Sequence, residues 1–145
     1  MNMTPRMKPV RDASAWTDDD LGLDQSWKFS LPPVQKDNLH QALQQVKMRG
    51  LQFAEICQDD LPLPALRDTL QALSHQLRHG TGFAVLSSIP MGKYKINDLE
   101  KLYWGLCTYL GTGVTQNDEA GLTHYITDGQ LRPQKETRAE QTAAG

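Results

Sequence analysis

The sequence has little of what most readily betrays a function. Its two cysteines, Cys57 and Cys107, stand fifty residues apart in no CxxC or Cys/His spacing, so neither a disulfide framework nor a zinc finger is indicated and a reducing compartment fits best. Apolar runs such as Phe83 to Leu86 are far too short for a bilayer span, and the opening MNMTPRMKPVRDASAW has no apolar stretch of the kind a secretory signal needs. A cytoplasmic protein without a membrane partner is expected. Neither sign of charge dominates: Lys plus Arg number 15 and Asp plus Glu 17, a formal charge of -2. No broad field would therefore draw the chain to nucleic acid. Gly-x-Ser-x-Gly, Gly-x-Gly-x-x-Gly and P-loop patterns are all missing, which leaves hydrolase and nucleotide-binding readings without support.

What is present suffices for one domain. Hydrophobic residues make up 39% of 145 positions, enough for one modest core. Residues 1–15 mix Pro, Lys, Arg and Ser without apolar period, and residues 132–145 contain no Val, Ile, Leu or aromatic residue. Both ends are expected to be poorly ordered, flanking a domain over 16–131. Alternation at Trp27, Phe29 and Leu31 predicts a short strand closed by Pro32 and Pro33. Leu39, Ala42, Leu43 and Val46 form a stripe that predicts a helix over 37–48, with Gly50 as a left-handed cap. A second stripe, Leu66, Leu70, Leu73 and Leu77, predicts a helix between Pro64 and Gly80. Phe83 to Leu86 reads as a central strand covered on both faces. A third helix should start at Asn97 with Glu100 completing a capping box, and Leu99, Leu102, Tyr103, Leu106, Tyr109 and Leu110 should give it a wide apolar face. Residues 113–116 and 122–127 resemble two further strands. This order predicts an α+β fold with helices packed on a small mixed sheet.

Candidate chemistry is sparse. His75 and His79 share a helix face at i, i+4 but have no third ligand beside them, so exposed helix histidines are expected. His124 and Asp128 would be about 13 Å apart along a strand at ~3.3 Å per residue, too far to share a metal. Asp18, Asp19 and Asp20 suit a solvated helix start better than a cation site. Cys107 reads as a small buried hydrophobe, and Trp16, Trp27 and Trp104 as core anchors rather than a stacking platform.

The order of motifs along the chain nevertheless resembles a family. Trp16 with Asp19-Asp20-Leu21, Ser26-Trp27, Leu61-Pro62-Leu63-Pro64, His79-Gly80-Thr81-Gly82-Phe83-Ala84-Val85-Leu86, Ile89-Pro90, Tyr94, Asp98-Leu99, Leu102-Tyr103-Trp104-Gly105-Leu106, Leu110-Gly111 and Thr115-Gln116-Asn117 are similar to the N-terminal part of TauD/TfdA-like (clavaminate-synthase-like) Fe(II)- and 2-oxoglutarate-dependent oxygenases. The Leu-Tyr-Trp-Gly-Leu segment followed by Gln-Asn is the most specific part. The resemblance implies the N-terminal half of a double-stranded β-helix, or jelly roll, left unclosed. It also implies that the barrel face of the Phe83–Leu86 strand lacks its cover.

In the family, a segment similar to Arg138-Ala139-Glu140-Gln141-Thr142 leads into His-x-Asp/Glu, with a distant His completing the iron site. Here Glu140 stands in place of the usual aromatic residue, and His40, His75, His79 and His124 belong to no His-x-Asp/Glu sequence. The resemblance therefore implies Fe(II), 2-oxoglutarate and a small-molecule substrate for the complete domain. For this chain alone no cofactor, metal ligand or catalytic residue is expected. Gln116 and Asn117 are the only residues the resemblance puts on the substrate side, against a plain reading as polar turn residues. A truncated or partial oxygenase is one expectation. The other is a non-catalytic interaction module that self-associates or pairs with a downstream half or a full-length relative.

Overall fold

The computed structural model describes residues 4–5, 7–114 and 121–122. The chain divides after Thr112, and the architecture below is that of the first unit, Met1–Thr112. The tail 132–145, residue pairs such as His124 and Asp128, and nearly all of the strands expected at 113–116 and 122–127 lie outside the described residues.

Helix α1 (Asp18–Leu23) opens on a reciprocal cap. Thr17 Oγ1 accepts from the Asp20 N–H at 3.4 Å, and the Thr17 N–H donates to the Asp20 carboxylate at 2.8 Å. The Thr17 N–H foremost, and then the Thr17 hydroxyl, which also donates to the carboxylate at 2.8 Å, hold Asp20 below the usual carboxylate range. The three exposed aspartates fill the first turn, where unpaired N–H groups favour negative charge. The solvated helix start expected for them is what forms.

Strand β1 (Lys28–Ser30) pairs in parallel with β2 (Val85–Ser87), Phe29 opposite Leu86. Parallel neighbours need a long crossover, and helices α2 (Pro33–Met48) and α3 (Arg67–His79) supply it. Helix α2 starts four residues earlier than its apolar stripe suggests. Proline at the first helical position needs no N–H partner and already has helical φ, so Pro33 begins the helix rather than delaying it. At the other end Gly50 takes φ +67; its N–H bonds Lys47 O at 3.0 Å and the Leu51 N–H bonds Val46 O at 3.3 Å. That pair of bonds is a Schellman motif, which satisfies two carbonyls the helix leaves open.

The core is leucine-rich. Leu39, Leu43 and Val46 of α2 meet Leu70 and Leu73 of α3, Leu102 and Leu106 of helix α4 (Ile96–Thr108), and Leu61, Leu63 and Leu66 from the intervening turns. Three expectations need correction. Leu77, counted in the α3 stripe, is 37% exposed, and Gln76 is buried in its stead. The reason is the reversal after α3: Gln76 Nε2 donates to Thr81 Oγ1 at 2.9 Å, and Thr81 Oγ1 donates to Phe83 O at 2.9 Å. Tyr103 is 65% exposed, because the face of α4 that packs inward is Asp98, Leu102, Gly105 and Leu106. No Asn97 cap forms either; the helix starts at Ile96, and Lys95 O takes the N–H groups of Asp98 and Leu99. Asp98, half a turn in, supplies the first-turn charge and pairs with Lys47 at 3.3 Å.

Among the described residues the sheet has two strands, and β2 is paired with β1 alone. Val85 is 46% exposed, while Leu86 on the opposite face is half-buried. Leu86 packs against the leucine core, and Val85 faces away from it among the described residues. Ser30 Oγ and Ser88 Oγ lie 2.8 Å apart at the strand ends, where Ser88 adopts φ +70.

Candidate functional site

Gln116 and Asn117 lie outside the described residues. Thr115 and residues 138–142 lie outside them too, whereas the motifs from Trp16 to Gly111 can be placed, and several of them hold the scaffold together. Trp16 donates its indole N–H to Thr81 O at 2.9 Å and meets Phe83 edge-on, with ring centroids 5.2 Å apart. Trp27 flanks the same Phe83 at 5.3 Å. The leader is thus pinned to the His-Gly-Thr-Gly-Phe turn, although Trp16 stays 43% exposed and is only partly a core anchor. Trp104 donates to Ile56 O at 3.2 Å and packs edge-on against Phe53. Gly105 lets Leu61 sit directly on α4: a Cβ there would overlap Leu61 Cδ2 and approach Leu61 Cγ to 3.3 Å.

The titratable groups do not converge. His75 and His79 are both exposed, their rings 5.3 Å apart. His40 Nδ1 lies 3.2 Å from the Tyr94 hydroxyl. No group of three His, Cys, Asp or Glu able to hold a metal occurs among the described residues. Cys57 is exposed; Cys107 is half-buried, and burial pushes its thiol up while a Tyr103 hydrogen bond pulls it down. A protonated thiol is a poor nucleophile.

One concave feature was not legible in the sequence. An open groove of 590 Å³ runs between the 58–64 loop and one face of α3. Arg67, Gln71 and Ser74 recur at helical spacing along one wall; Gln58 and Asp59 stand on the other, over a floor that includes buried Leu63 and Leu70. Tyr109 closes the back. Its hydroxyl lies 2.6 Å from Leu61 O and 3.2 Å from Gln58 O, and it accepts the Leu63 N–H at 3.2 Å. Burial pushes the Tyr109 phenol up, the Leu63 N–H pulls against that rise and the Asp59 carboxylate adds to it. The phenol therefore stays protonated at neutral pH and keeps the loop clasped. On the far side of the loop Asp60 accepts the Cys57 N–H and pairs with Arg49 at 2.6 Å, which holds its carboxyl below the usual range. The loop wall is thus fixed at both ends. Its only sequence signal was the Pro62-Leu63-Pro64 run, which says nothing about what it faces.

No protein-family model matches the chain. The chain is similar to FR-33289 synthase of Streptomyces rubellomurinus (strain ATCC 31215), with 25% identity over 121 residues, 83% of this chain and 36% of that protein. It spans about a third of the length of the curated relative it matches. The chain is accordingly a distant relative of a stretch of a synthase roughly three times as long as the matched segment.

Proposed function

We propose that the chain is the N-terminal part of a TauD/TfdA-like Fe(II)- and 2-oxoglutarate-dependent oxygenase, cytoplasmic and acting in its complete form on a small molecule. The observation that carries the reading is the lopsided match: most of this chain aligns with little more than a third of a synthase. The family motifs support it by having definite packing work here, with Trp16 and Trp27 gripping Phe83 and Gly105 admitting Leu61. In this reading the described residues buttress an unclosed jelly roll, and Gln116 and Asn117 belong to its substrate side.

A 2-His-1-carboxylate site needs three ligands on converging backbone, and the described residues do not fit it, with His40 engaged by Tyr94 and the His75–His79 pair lacking a carboxylate. No catalytic step is assigned to them. Two experiments test the proposal. Reading the DNA beyond the last codon should show a frame, continuous or interrupted, that encodes His-x-Asp/Glu and a later His. Calorimetric titration of the purified chain with Fe(II) in the presence of 2-oxoglutarate should show no tight stoichiometric site, and finding one would overturn the assignment of iron binding to the missing portion.

The exposed Val85 face, and an outer edge of β2 that is unpaired among the described residues, favour a second reading, a module that associates with a copy of itself or with a chain donating strands. Sedimentation at tens of micromolar should then show dimers or larger species. A clean monomer that also unfolds in one sharp step would mean that these residues close their own core, and would sink this reading.

A further inference from the structure

We propose that the groove between the 58–64 loop and α3 docks an extended segment of a partner polypeptide carrying a basic and an acidic side chain at adjacent positions. Four groups on its walls carry the inference. Asp59 on the loop wall and Arg67 on the helix wall have no ion-pair partner among the described residues, although Arg49, Asp60, Lys47 and Asp98 nearby are all paired. The side-chain amides of Gln58 and Gln71, again one on each wall, have no hydrogen bond there.

A primary amide offers donors and an acceptor together, the complement of an extended backbone's alternating N–H and C=O groups. Successive side chains of an extended segment point to opposite sides. A chain lying along the groove would therefore send one residue toward Asp59 and the next toward Arg67, which fixes the pattern as a cation beside an anion. Buried Leu63 and Leu70 give the floor an apolar surface. Shape argues for a chain rather than a compact ligand. Small-molecule sites enclose most of their ligand, whereas this groove is broadly open to solvent and its loop wall is held by Tyr109 and by the Arg49–Asp60 pair. A wall that is already ordered reduces the entropy lost on binding. The site lies wholly within Met1–Thr112 and does not depend on the oxygenase reading, so either can fail alone.

The probe is the blocked tetrapeptide acetyl-Gly-Lys-Glu-Gly-amide, titrated into the ¹⁵N-labelled full chain. The expected result is saturable amide shifts confined to residues 58–61, Leu63, 67–74 and Tyr109, with a dissociation constant of about 1 mM. Asp59→Asn and Arg67→Gln, both at exposed positions, should each weaken binding about threefold, with the remaining amide spectrum unchanged as proof of folding. The neutral acetyl-Gly-Gln-Gln-Gly-amide should bind about tenfold more weakly. The proposal is overturned by absence of groove shifts at about 10 mM peptide, by equal binding of the neutral peptide, or by an equimolar mixture of free lysine and glutamate reproducing the shifts.

Discussion

Leu43→Ala should lower the stability of the chain by about 2–5 kcal/mol. Leu43 has no measurable exposure and lies at the middle of α2, between Leu39 and Val46, inside the cluster that joins α2 to α3 and α4. Truncation removes the transfer energy of the lost carbons and leaves a cavity whose walls are three helices that cannot readily collapse. For a unit of this size the loss corresponds to a fall in melting temperature on the order of 10 °C or more. Leu77→Ala is the informative comparison. The residue belongs to the same kind of leucine stripe, yet it is 37% exposed, so the expected change is below about 1 kcal/mol. Thermal unfolding followed by circular dichroism measures both, and equal losses would mean that α3 is rotated from the orientation described.

Gly105→Ala should cost about 1–3 kcal/mol, although alanine is the better helix former. The added methyl would occupy the space of Leu61 Cδ2, and Leu61 has little freedom to move. Its side chain is fully buried, and its carbonyl is held by the Tyr109 hydroxyl at 2.6 Å. Helix propensity alone would make the substitution stabilising by ~1 kcal/mol, so the sign of the change tests the close approach directly. A double-mutant cycle with Leu61→Ala sharpens it. Removing the side chain that the methyl strikes should make the pair less damaging than the sum of the singles by at least ~0.5 kcal/mol. Additive losses would show that Gly105 and Leu61 are not in contact. Two residues of the Leu-Tyr-Trp-Gly-Leu segment, the most specific part of the resemblance together with the following Gln-Asn, have packing roles: Trp104 anchors the Phe53–Ile56 turn and Gly105 makes room for Leu61.

The groove illustrates how a site escapes a sequence reading. Asp59 and Arg67 stand eight positions apart across two turns and two prolines, and no periodicity connects them. The loop that carries Gln58 and Asp59 is held by Tyr109, at the end of a helix about fifty residues further on, and by the Arg49–Asp60 pair. The histidine pair is the converse case. The i, i+4 spacing of His75 and His79 fixes their proximity, whereas whether a third ligand comes near depends on segments far along the chain, and among the described residues none does.

By itself the sequence determined what depends on near neighbours along the chain. The helices at Leu39–Val46 and Leu66–Leu73, the left-handed cap at Gly50, the acidic start of α1 and the extended segments around Phe29 and Leu86 all follow from side-chain period and backbone preference, which act over a few residues. Tertiary structure decided which side of each element is inside. It exposed Leu77 and buried Gln76 because the turn through Thr81 needed a hydrogen-bonding anchor, and it turned Tyr103 outward because Gly105 had to meet Leu61. Those outcomes depend on contacts between segments far apart in sequence, where one buried polar group or one missing Cβ outweighs the average preference of a helical stripe.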